Sequence, residues 1–86
     1  MSMQDGYLDR MAARIAEFER ALRGSSAKQL DDRRRRDLEA GLATVKERFQ
    51  ALRRAKAEVT DEMLQSFTAS FERLRAAFGE ARVEAA

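Results

Sequence analysis

Eighty-six residues with 17 basic and 15 acidic side chains, and with no His, Cys, Trp or Pro, leave room for one small domain and for little of the usual catalytic chemistry. Disulfides are impossible and a structural zinc site nearly so, so a core this small is expected to gain stability from self-association. A charged fraction of 37%, with no apolar run near the roughly 20 residues of a membrane span, argues against a membrane protein, and a net charge of +2 does not by itself argue for nucleic acid.

The segment Met1-Ser2-Met3-Gln4-Asp5-Gly6 has neither a basic start nor an apolar stretch, which predicts no secretory signal and a cytoplasmic location. The first apolar stripe follows at Leu8, Met11, Ile15, Phe18 and Leu22. Its alternating steps of three and four predict a helix over about 6–23. Gly24 reads as a left-handed C-terminal cap, and Ser26-Ala27-Lys28-Gln29 as a capping box that opens a second helix over about 27–57. That helix carries the stripe Leu38, Leu42, Val45, Phe49 and Leu52. Gly41 beside Leu42 reads as a point of close helix approach, and Leu30, off the stripe, as a cover for the end of the first helix near Leu22. In Val59-Thr60-Asp61-Glu62, Thr60 can cap, the two acids suit the positive end of a helix dipole, and Val59 can staple onto Leu64. A third helix over about 60–83 bears Leu64, Phe67, Phe71, Leu74 and Phe78.

Stripe phase separates the helices. Continuing the first stripe by sevens from Leu22 reaches Gln29 and Arg36, both polar, and the second stripe runs one residue out of step. The expected fold is therefore all-α: a single domain, 1–86, built as an antiparallel three-helix bundle with a long middle helix. The first helix is expected along the N-terminal half of this spine and the third along its C-terminal half, with the fifteen stripe residues as core. A two-helix antiparallel hairpin, unbroken from 6 to 57 and pairing into a dimer, is the alternative. At about 31 residues the middle helix would span roughly 45 Å. Part of its face would then need cover from another chain, and a homodimer is the expected solution.

Tyr7 followed by Met11, Ile15 and Phe18, the charged stretch from Leu38 to Leu52, and Thr60-Asp61-Glu62 leading into Phe67, Phe71 and Phe78 together resemble a family of small bacterial coiled-coil proteins of unknown function, some labelled stress-response proteins. The chain departs from that outline in carrying Phe where the family often has Trp, and in the Gly24-Ser25-Ser26 break. The resemblance implies a helical hairpin or bundle, hints at a stress setting, and implies no activity.

The run Asp31-Asp32-Arg33-Arg34-Arg35-Arg36-Asp37 is open to two readings. Arg binds phosphate in two-pronged fashion, so the run could be a phosphate-binding patch. On a helix, however, Asp31 lies over Arg35, Asp32 over Arg36 and Arg33 over Asp37, and such i,i+4 pairs would make it a self-neutralised face. Under the second reading, replacing the four arginines with Gln should cost about 1 kcal/mol, from three pairs at a few tenths each. Catalysis has little to use. Carboxylates fall on polar faces or helix ends, the Glu-x-x-His of a di-iron bundle is missing, and Gly6, Gly24, Gly41 and Gly79 are too scattered for a phosphate loop.

No catalytic, cofactor-binding or metal-binding residue is therefore expected, and no cofactor. The expected function is non-enzymatic: a helical interaction or scaffold protein acting by helix–helix packing on itself and on an unknown protein partner. The alternative is nucleic-acid binding through Arg33, Arg34, Arg35 and Arg36 with Arg53, Arg54 and Lys56. A third reading, binding to a lipid or granule surface, would use the apolar face of the last helix.

Overall fold

A computed structural model describes residues 3–24 and 28–82. The order is α1 (Met3–Arg23), α2 (Asp32–Ala55), a single 3-10 turn (Lys56–Glu58) and α3 (Asp61–Ala81), with no strand among the described residues. The chain is an all-α, antiparallel three-helix bundle with α2 at its centre.

Each helix begins or ends where local chemistry allows. Asp31, in extended backbone, accepts the Arg34 amide at 2.7 Å and caps α2. Thr60 Oγ1 accepts the Met63 amide at 3.2 Å and caps α3, with Asp61 and Glu62 in its first turn. Val59 and Leu64 are both half-buried against the core, as a staple across that cap requires.

The boundaries differ from expectation in instructive ways. α1 starts at Met3, before position 6. α2 begins at Asp32 and not near 27: Lys28 is helical, but the chain turns at Gln29 and bends at Leu30, and Asp31 in extended backbone supplies the cap from which α2 starts. Ser26 and Ala27 of the expected capping box lie outside the described residues. Gly24 does not take the left-handed conformation: no glycine has positive φ, and its amide bonds to the Ala21 carbonyl at 3.2 Å. α2 stops at Ala55, where Lys56 turns at φ 51, ψ −115 and its amide still reaches the Leu52 carbonyl. α3 stops at Ala81, closed by Arg82 in the left-handed conformation at φ 58.

At 24 residues α2 is only slightly longer than its 21-residue neighbours. It spans about 36 Å, within a body of 42 × 21 × 17 Å. The three helices therefore run side by side over nearly the whole length, and the division of the spine into halves is corrected. Gly41 meets Leu74 near one end of the α2–α3 seam, and Phe49 meets Phe67 toward the other. α1 follows the same span, since Tyr7 reaches Phe67 while Phe18 reaches Phe71 and Phe78.

The α2–α3 pair forms the tighter seam. Gly41 is the reason at its narrowest point, where a Cβ would lie only 3.0 Å from Leu74 Cδ1. The α1 and α3 backbones scarcely approach one another, so rings bridge the space between them. Phe18 lies 4.7 Å from Phe78 and 5.5 Å from Phe71, and Tyr7 meets Phe67 edge-on at 6.4 Å. Such pairs add roughly 0.5–1.5 kcal/mol each beyond their burial.

Val45, Leu52 and Phe67 are the most deeply enclosed side chains. With them Ile15, Leu38, Leu42, Phe49, Phe71, Leu74 and Phe78 are buried as expected, joined by Ala21, which a reading of large residues passes over. Leu8, Met11, Phe18, Leu22 and Leu64 belong to the stripes but are only half-buried at the margin of the core. Four of these five lie on α1.

Candidate functional site

The seven basic residues proposed for nucleic acid do not form one patch. Arg33–Arg36 occupy the start of α2 and Arg53, Arg54 and Lys56 its end, a separation of about 30 Å at 1.5 Å per residue. Arg53 lies over the Phe49 ring with its guanidinium carbon 5.6 Å from the centroid, so that end is partly occupied with its own packing.

At the start of α2 the expected self-neutralisation is largely missing. The Asp31 carboxylate accepts the backbone amide of Arg34. No ion pair joins Asp32 to Arg36 or Arg33 to Asp37 among the described residues, and Arg36 Nε instead donates to the Asp32 carbonyl at 3.3 Å. Arg33, Arg34 and Arg36 are exposed, whereas Arg35 is half-buried and engaged within the protein. The ion pairs that do form lie elsewhere. Glu19 reaches both Arg23 at 3.6 Å and Lys46 at 3.1 Å, tying α1 to α2, and Glu72 pairs with Arg75 at 2.8 Å.

Antiparallel topology adds basic residues that no linear motif marks. The start of α2 shares its end of the bundle with the last turn of α1 and the last turn of α3. Across residues 19–24, 28–37 and 79–82, Arg20, Arg23, Lys28, the four-arginine run and Arg82 stand against Glu19, Asp31, Asp32, Asp37 and Glu80. At the opposite end Arg10, Arg53, Arg54 and Lys56 are matched in number by Asp9, Glu58, Asp61 and Glu62. The molecule is thus polarised, with one basic pole. The alternation of helix direction is the signal that would have found it.

Two other surfaces stand out. Along the side of the α2–α3 seam, shallow hollows of about 140 to 240 Å³ follow one another, where Gly41, Thr44, Ala51, Ser66, Ser70 and Ala77 leave little side chain to fill them. Arg48 crosses this seam and donates to the Ser66 carbonyl and the Ser70 hydroxyl. At the end opposite the basic pole, Leu8, Met11, Val59, Met63 and Leu64 are all half-buried, so the core closes loosely there.

The rings that a lipid-surface helix would need, Phe67, Phe71 and Phe78 with Leu74, point into the core. Among the described residues no helix is long and apolar enough to cross a membrane, and no group of three or more acidic side chains gathers where it could hold a metal ion. No protein-family model matches this chain, and no curated protein or solved structure shows significant similarity to it.

Proposed function

We propose that the protein is a non-enzymatic helical interaction module that self-associates, most simply as a symmetric homodimer, and presents its bundle to a further protein partner. The observation that carries this reading is the incomplete burial of its own apolar stripes. Leu8, Met11, Phe18 and Leu22 on α1, with Leu64 on α3, keep part of their surface in water although their spacing marks them for a core. Each large apolar side chain moved from half to full burial gains roughly 1 kcal/mol, and a domain of this size has little other stabilisation to draw on. A second copy can supply the missing cover through one self-complementary surface. The hinted stress setting and the cytoplasmic location belong to the same proposal and rest on the sequence resemblance and composition alone.

Sedimentation velocity at high micromolar concentration tests the association. A mass near twice the 9.8 kDa of the chain is expected, falling toward the monomer on dilution. A monomer throughout the concentration range would overturn it.

A further inference from the structure

The basic pole has features that the packing of the bundle does not explain. Four consecutive arginines begin one residue into α2, at the positive end of its dipole, where cations are disfavoured. Neighbouring like charges add to that penalty, and the acids that could relieve it are not paired with Arg33 or Arg36. Exposed Arg20 and Arg23 are brought to the same end by α1, and Arg82 by α3. The fold therefore concentrates positive charge at one pole, although the whole chain carries a net charge of only +2.

We propose that this pole docks on the sugar–phosphate backbone of duplex nucleic acid, without regard to base sequence. Arginine forks fit phosphate oxygens in two-pronged geometry. A pole about 20 Å across, judged from the cross-section of the bundle, can engage several phosphates of a duplex that carries a negative charge about every 1.7 Å. The pole lacks the means for other polyanion modes. The aromatic rings are buried or half-buried in the core and its margin, so no platform stacks unpaired bases. Leu30, the one large apolar residue of the connection that the structure describes, packs against the core and offers no wedge for a lipid surface.

Fluorescence anisotropy with a labelled 20-base-pair DNA, an RNA duplex of the same length and the separated single strands tests this. Three arginine-to-glutamine changes, Arg33→Gln, Arg34→Gln and Arg36→Gln together, are compared with the charge-matched set Arg53→Gln, Arg54→Gln and Lys56→Gln at the other pole. Wild type is expected to bind duplex at 50 mM salt and to weaken about 100-fold by 200 mM, as release of counterions from some four phosphates requires. The first variant should bind at least about tenfold more weakly with a shallower salt slope. The second should stay within about threefold of wild type. Circular dichroism confirms folding, and the triple Arg→Lys variant at 33, 34 and 36 should restore the salt slope, which counts charges, while binding a few-fold more weakly than wild type because lysine lacks the two-pronged fork. Equal losses in both glutamine variants would overturn the proposal in favour of bulk charge. So would absence of duplex binding at 50 mM salt, preference for single strands, equal competition by polyglutamate, or stronger binding to vesicles with 30% phosphatidylserine.

Discussion

Gly41 and Gly79 both sit inside helices, and replacing each with Ala isolates packing from helix propensity. Gly79 is exposed and a Cβ there would meet nothing within 4 Å. Its replacement should gain about 0.5–1 kcal/mol from the reduced freedom of the unfolded chain, somewhat muted near the end of α3. At Gly41 the same gain is opposed by Leu74 Cδ1 at 3.0 Å, roughly 0.5 Å inside ordinary carbon–carbon contact. Leu74 is 3% exposed, but it lines a hollow of about 200 Å³ together with Gly41, so Cδ1 can give way in part and the cost should fall in the lower part of the about 1–3 kcal/mol typical of overpacking. Gly41→Ala should therefore come out neutral to destabilising by about 2 kcal/mol. For 86 residues 1 kcal/mol corresponds to about 5 °C in Tm, so the two variants should melt about 2–15 °C apart by circular dichroism. In a Leu74→Ala background, where the opposing methyl is gone, Gly41→Ala should become stabilising. Equal Tm gains at both positions in the wild-type background would refute the close approach of α2 and α3 at this point.

Lys56 turns the chain at φ 51, ψ −115, a region that only Gly enters without strain, so Lys56→Gly should raise stability by about 1 kcal/mol in urea unfolding. Phe67 is fully enclosed and touches Tyr7, Phe49 and Phe71. Phe67→Ala should remove about 3–5 kcal/mol of a total near 4–13, whereas Leu8→Ala at the half-buried margin should cost about 1–2; similar losses would mean that the core is centred elsewhere. Replacing Arg33, Arg34 and Arg36 with Gln should stabilise the free protein by about 1 kcal/mol at low salt, with the effect fading at 0.5 M salt. This sign is opposite to the small loss that three i,i+4 pairs would give, because the expected pairs at Arg33 and Arg36 do not form. A destabilised variant would restore the self-neutralised reading.

Much of this architecture was legible in one dimension. Hydrophobic spacing of three and four depends only on the turn of the α-helix, so the three stripes located three helices and most of the core before any packing was known. The Thr60 cap and the narrow approach at Gly41 were readable for the same reason: each depends on one residue type whose local chemistry has few uses. The start of α2 was less legible: by its spacing Asp31 reads only as a charge partner for Arg35, whereas its carboxylate caps the helix by accepting the Arg34 amide. Gly24 could have turned left-handed and did not, because glycine is permitted that conformation and not compelled to it.

The candidate surfaces were less legible still. Arg33–Arg36 announced itself as a run, but whether Arg33 and Arg36 pair with the neighbouring acids depended on side-chain geometry, and the company of the run depended on helix direction. Only three antiparallel helices of near-equal length bring Arg20, Arg23 and Arg82 beside it while sending Arg53, Arg54 and Lys56 about 30 Å away. The spacing of Leu8, Met11, Phe18 and Leu22 states which way they face on α1. Whether they are enclosed is decided by how far α1 stands from α3, and there the gap is set by the width of aromatic rings. Local periodicity thus determined the helices and their faces. The connections and side-chain volumes, which act between distant parts of the chain, decided register, depth of burial and the distribution of charge.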